Sequence, residues 1–193
     1  MNRLSHSARW LLASCISLSM LSSPVVHAES YAASYQAQPQ MSMREQINQY
    51  WFRAAKEGDL KIINTLIDAK FDLNHADSKG YSALILAAYH GHDAVVNRLL
   101  LAGANPCHKD QRGNTALMGA IFKAEVRIAK TLIAADCQAD QPNYNGQTAA
   151  MYAALFGRTE LLKALEARGA NLDQADPLGN TARRINQGEL RTR

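Results

Sequence analysis

The 193-residue chain sets 21 Lys and Arg against 17 Asp and Glu, with 47% hydrophobic and only 7% aromatic residues. That is enough apolar material for a packed core. With no block of like charge and no basic stretch interleaved with aromatics, nucleic-acid binding is not predicted.

In chain order, the first segment is a processing signal. Arg3 and Arg9 give a positive start, Trp10 to Leu21 is apolar, and Val26-His27-Ala28 is a small-residue cleavage pattern. Together these predict a signal peptide over 1–28, cleaved after Ala28, and a periplasmic or secreted product. The apolar run is shorter than the ~20 residues of a spanning helix, so no membrane contact is expected after cleavage. A lipoprotein is the rival reading, since Leu12-Ala13-Ser14-Cys15 resembles a lipobox. It leaves only about five apolar residues before Cys15, where the core of a signal needs ~7. Residues 29–45 hold few aliphatics and many Gln, Ser and Ala, the composition of a flexible leader.

From residue 46 onward the sequence repeats. Gly80, Gly113, Gly146 and Gly179 recur at a step of 33 residues. A hydroxyl follows two places later (Ser82, Thr115, Thr148, Thr181), and an acid or amide precedes by three (Asp77, Asp110, Asn143, Asp176). One fixed period means stacked units, none of which closes a core alone. The Ser or Thr is placed to cap a helix, roughly Ser82 to Tyr89 in the second unit, which Gly91 ends. A second helix carries the stripe Val95, Val96, Leu99, Leu100, echoed by Ile128, Ala129, Leu132, Ile133 and by Leu161, Leu162, Leu165. Each unit is therefore turn, helix, turn, helix.

Gly80-Tyr-Ser-Ala-Leu-Ile-Leu-Ala-Ala88, Gly91-His92, Arg98-Leu-Leu and Gly103-Ala104 resemble an ankyrin repeat. The resemblance implies an all-α solenoid: three full repeats, 80–112, 113–145 and 146–178, between an N-terminal capping repeat over 46–79 and a C-terminal cap over 179–193. The family's usual proline after the hydroxyl is Ala83, Ala116, Ala149 and Ala182 here. Its usual histidine is Ile85, Met118 and Met151, and Ala124 and Asp136 stand where glycines are expected. In the first copy Tyr50, Trp51 and Phe52 are placed to cover the open end of the stack. The last copy, with Arg183, Arg184, Asn186 and Gln187, presents a polar outer face.

Cys107 and Cys137 sit in adjacent units, three residues out of register. Equivalent positions in stacked helical layers lie ~8–10 Å apart, and a disulfide needs Cα atoms within about 7 Å. The expectation is an unbonded pair, with Cys137 a small core residue and Cys107 exposed on a link, although an oxidising compartment leaves a bridge open. No catalytic motif occurs. His90, His92, Cys107 and His108 come nearest to a metal set, but their spacing does not imply convergence, so no metal or cofactor is predicted. Met118 and Met151 fall at periodic helix positions and read as core, not as oxidant sinks.

Surface remains. The resemblance implies a concave face made by the turn tips and the outer side of each first helix. Tyr89, Phe122, Leu155 and Phe156 form an apolar ridge along it, accompanied by His90 and flanked by Lys79, Arg112 and Lys123, with Tyr81 and Tyr144 at the tips. Aromatic anchors with a cationic rim are typical of protein interfaces. The reading is a non-enzymatic, monomeric module that binds a folded protein partner. The chain is similar to small periplasmic ankyrin proteins of bacteria, a group that includes members linked to catalase activity and peroxide resistance. That similarity implies a haem catalase as partner; the alternative is a secreted effector or inhibitor acting on a host or competitor protein.

Overall fold

The computed structural model describes residues 41–192 apart from Asp136. The expected signal peptide and residues 29–40 of the expected leader lie outside the described residues. The leader ends sooner than the sequence suggests. Helix α1, Met43–Glu57, starts before residue 46 because Ser42 caps it. Ser42 Oγ accepts from the Glu45 amide at 3.2 Å and the Glu45 carboxylate accepts from the Ser42 amide at 2.8 Å, a reciprocal box that satisfies two otherwise orphaned donors.

Among the described residues nine helices follow one another: α1; α2, Leu60–Asp68; α3, Ala83–Tyr89; α4, Asp93–Leu101; α5, Ala116–Lys123; α6, Val126–Ala134; α7, Ala149–Leu155; α8, Thr159–Ala167; and α9, Ala182–Asn186. Odd-numbered helices stack in one layer and even-numbered helices in a second. The first layer is small on its packed face. Ala54, Ala55, Ala87, Ala88, Ala120, Ala153 and Ala154 are all buried, which lets neighbouring helices approach closely. The second layer supplies bulk through Ile63, Val95, Val96, Leu99, Ile128, Leu132, Leu161 and Leu165, all buried.

The turns explain the repeating polar columns. Asp77 Oδ1 accepts from the Lys79 and Tyr81 amides at 2.8 and 2.9 Å, and Asp110 Oδ1 from those of Arg112 and Asn114 at 2.8 Å each. Asn143 and Asp176 do the same in their own turns. One side-chain oxygen thus holds each four-residue tip in a fixed shape. Two residues past the tip glycine, Ser82, Thr115, Thr148 and Thr181 each accept from an amide of the helix they open, at 3.2 to 3.4 Å. Tips then join to each other: the Gln111 amide donates to the Lys79 carbonyl and the Tyr144 amide to the Arg112 carbonyl, both at 3.0 Å.

At the N-terminal end, Tyr50, Trp51 and Phe52 do not act together as a cover. Successive residues on a helix point about 100° apart, so only one can face a given side. Trp51 is wholly buried with its ring 5.1 Å from that of Phe71, Phe52 is half-buried beside His75, and Tyr50 stays in solvent under Arg53. At the other end, Arg183 pairs with Asp173 and Arg184 with Glu189, leaving only Ala182 of α9 in the core.

The expectation of two unbonded cysteines is overturned. Cys107 and Cys137 form a disulfide with Cα atoms 5.6 Å apart. The cause is local to the third repeat. Helices α4 and α8 end in Ala102 and Arg168 near helical geometry, and Gly103 and Gly169 then turn the chain with φ of 95° and 89°. The third repeat has Asp136 at the glycine column, and its helix ends instead at Ala135 with φ −69°, ψ 155°, an extended exit. Cys137 leaves the buried place held by Ala104 and Ala170 and becomes half-buried. Its partner sits in a telling column. Asn74 and Asp140, one period either side of Cys107, accept a hydrogen bond from the amides of Asn105 and Asn171 in the following repeat, at 2.8 and 2.7 Å. Where Cys107 interrupts that series, the covalent bridge makes the repeat-to-repeat connection.

The bridge closes a loop of sequence separation 30, so its loss releases denatured-state entropy worth about 3–4 kcal/mol. Urea unfolding of Cys107→Ala/Cys137→Ala should show an unfolding free energy lower by that amount, with a lower midpoint; an unchanged midpoint under oxidising conditions removes the clamp from the account. The third repeat also carries Ala124 at φ 63°, where Gly58, Gly91 and Gly157 stand at 77°, 80° and 64°. A Cβ in this region is strained, so Ala124→Gly should raise stability by about 1 kcal/mol, read in the same titration.

Candidate partner-binding surface

The outer faces of α3, α5 and α7 and the turn tips beside them enclose a groove of about 620 Å³. Its tip wall holds Asp77, Lys79 and Tyr81 from one turn and Asp110, Arg112 and Asn114 from the next. Its helix wall holds Tyr89, His90, Phe122, Gly119 and Tyr152, and Lys56 closes one end. The tip shape derives from the Asp77 and Asp110 side-chain oxygens, so the same bonds that fold each turn set the height of this wall.

Aromatic rings run along the helix wall. Tyr89 and Phe122 are 38% and 45% exposed, with centroids 6.2 Å apart and planes 13° from parallel. Phe122 meets Phe156 edge-on at 5.2 Å. Leu155 is exposed beside them, while Phe156 is half-buried because it also packs on Tyr152 at 6.0 Å. Of the sequence-derived ridge, Tyr89, Phe122 and Phe156 are in ring contact, whereas Leu155 is exposed next to Phe156 in the chain, and neither Leu155 nor Phe156 lines the groove. Lys123 lies 5.2 Å over the Tyr89 ring, close enough for a cation–π contact. Lys79 and Arg112 are exposed at the rim, and Tyr81 is half-buried against the core. Tyr144 stands apart: it is 71% exposed on the next tip and does not line the groove.

Three groove residues, Tyr152, Lys56 and Gly119, lie outside the candidate set. Tyr152 donates its hydroxyl to Asn114 Oδ1 at 3.1 Å and receives the Asn143 amide nitrogen at 3.4 Å, tying the groove floor to two tips. Burial pushes its phenol pKa above the usual value. Lys56, at the end of α1, adds a charge at the groove mouth. Gly119 is the third. It falls in the helix column occupied by Leu86 and Tyr152, and the only sequence signal is this break in an otherwise bulky column.

The histidines divide by role. His92 Nε2 donates to the Lys56 carbonyl at 2.7 Å and His108 Nε2 to the Gly80 carbonyl at 3.1 Å, so each joins one repeat to another. Among the described residues no group of three or more His, Cys, Asp or Glu is placed to hold a metal ion. His90 faces the groove. Its pKa is lowered, first by desolvation and then by the positive charges of His92, Lys56 and Lys123. The unfolded chain therefore binds this proton more readily than the folded one, and the corresponding stability, present above the ordinary histidine range, is lost as the pH falls through it. In an NMR titration His90 should titrate below the usual histidine value and move up in Lys56→Gln. An identical curve in the variant would show that the groove cations do not act on it.

The family model described as Ankyrin repeats (3 copies) matches the chain over residues 51–141 and 94–176. No curated protein is a significant match.

Proposed function

The chain belongs to the ankyrin repeat family, whose members generally serve as protein–protein interaction modules, and from that premise we propose that it grips a folded protein partner along the groove of its first-helix layer. The observation that carries this reading is the exposed Tyr89–Phe122–Leu155 ridge on a wall the stack does not need for its own core. Exposed aromatics backed by packed rings, with cations at the edge, match the composition of binding hot spots. The role proposed is capture, not turnover.

Two finer readings extend the proposal. Arg3, Arg9, the apolar run to Leu21 and Val26-His27-Ala28 support export, and the inter-repeat disulfide supports a compartment that favours oxidised thiols. An exported module of this repeat type is suited to assist a periplasmic catalase in peroxide defence, a role resting on the resemblance to small periplasmic ankyrin proteins. The second reading, an effector or inhibitor directed at a host or competitor protein, uses the same groove.

Affinity purification with the disulfide-bonded chain from a periplasmic extract should capture a partner that Tyr89→Ala/Phe122→Ala releases. Hot-spot truncations cost ≥2 kcal/mol each, about 30-fold or more in affinity. Full capture by the variant, with an unaltered melting curve, overturns the concave-face reading.

A further inference from the structure

One side chain is missing from the helix wall of the groove. Along the first-helix column that faces it, Leu86 and Tyr152 bracket Gly119, in the middle of α5. Glycine inside a helix lowers its stability relative to alanine. Nothing in the fold demands glycine at this place: a Cβ there would meet only Tyr89 Cδ2 at 3.7 Å and Tyr89 Cβ at 3.9 Å, ordinary contacts. The backbone is helical, and no close approach forbids a larger residue. What the glycine does create is a hollow, floored by Met118 and Thr115 and walled by Tyr89, Phe122 and Tyr152.

The charge around this hollow is net positive, four cations against the carboxylates of Asp77 and Asp110. Lys56, Lys79 and Arg112 line it and Lys123 lies over Tyr89. None of the four takes part in an ion pair among the described residues. The two acids of the groove are occupied elsewhere. Asp77 Oδ1 receives two amides of its own turn, and Asp110 receives two amides on Oδ1 and the Asn114 side chain on Oδ2. The cations around the recess make no direct ion pair among the described residues, and they outnumber the two carboxylates, which bond to amides of their own turns. The pKa of His90 is lowered first by desolvation, and the charges of His92, Lys56 and Lys123 add to the shift.

We propose that the Gly119 hollow is the anchor socket of the binding face and that it receives an acidic segment of the partner. One apolar side chain of that segment seats between Tyr89 and Tyr152, and its flanking carboxylates meet Lys79 and Arg112 on the tips and Lys56 and Lys123 on the helix ends. This rests on the proposed function and specifies the chemistry of the occupant. Charge complementarity here sets orientation and discrimination, and the buried apolar residue holds the complex together.

The test uses the disulfide-bonded chain and three blocked peptides: acetyl-Glu-Glu-Phe-Glu-Glu-amide, its Lys-for-Glu counterpart, and the acidic peptide with Ala in place of Phe. Calorimetry and the His90 NMR signal report binding. The acidic Phe peptide should bind at least about tenfold more tightly than either of the others and lose affinity as salt rises. It should also raise the His90 pKa, since carboxylates favour the imidazolium. Gly119→Ala, whose Cβ meets Tyr89 at ordinary contact distance, should raise the melting temperature. Gly119→Leu should also stay folded but lose binding by about tenfold or more, because the side chain fills the socket. Arg112→Glu should reverse the preference toward the lysine peptide.

Equal binding of the acidic and lysine peptides, full binding by Gly119→Leu, or self-association of the chain through the groove each overturns the proposal. The two readings fail separately. A partner captured by the wild type and lost by Tyr89→Ala/Phe122→Ala, with no peptide preference, sinks the acidic socket alone. A partner indifferent to that double change removes the concave-face reading beneath it.

Discussion

The structure depends on one small arrangement, a side-chain oxygen three residues before each tip glycine that takes two backbone amides of its own turn. At Asp77, Asp110, Asn143 and Asp176 this bond converts a loop into a rigid corner. The corner fixes where Ser82, Thr115, Thr148 and Thr181 stand, and each then begins a helix. It also fixes the carbonyls of Lys79 and Arg112, to which the next tip donates. Repeat shape, helix start and repeat stacking are thus consequences of the same local bond. Because the acids bond to their own turns, they form no direct ion pair with the groove cations among the described residues, which links the folding of the turns to the electrostatics of the groove.

The repeat architecture was legible because its key residues have backbone roles that few others can fill. A tip glycine at φ near 79° and a hydroxyl at an N-cap recur at a fixed spacing, and their meaning does not depend on neighbours in space. The ridge was legible for a related reason. Positions on the outer side of a first helix are free of packing duties, so Tyr89, Phe122 and Leu155 announce themselves by being apolar there. Phe156 reads in the sequence as an equal member of that group, and the structure shows it half-committed to Tyr152.

What escaped the sequence depends on geometry between units. The spacing of ideal layers argued against the Cys107–Cys137 bond, but the third repeat is not ideal. Ala135 leaves its helix extended where the neighbouring repeats turn at glycine. The missing glycine was visible in the sequence; the extended exit at Ala135 was not. Trp51 read as a cover for the open end, yet only its position on the α1 helix, set by the Ser42 cap, decides that it points inward. Gly119 was one glycine among several until Tyr89, Phe122 and Tyr152 were placed around it, since an absent side chain has meaning only through what surrounds the gap.

Stacked repeats usually come apart one layer at a time, because each layer adheres only to its neighbours. The Cys107–Cys137 bond crosses one of those seams, so the two central layers behave as a single thermodynamic block twice the ordinary size. Fraying must then start at the ends, from α9 inward or from α1 inward. The aromatic ridge straddles that welded seam, with Tyr89 on one side and Phe122 on the other. A partner seated there meets a platform that does not split beneath it, even while the outer layers open and close.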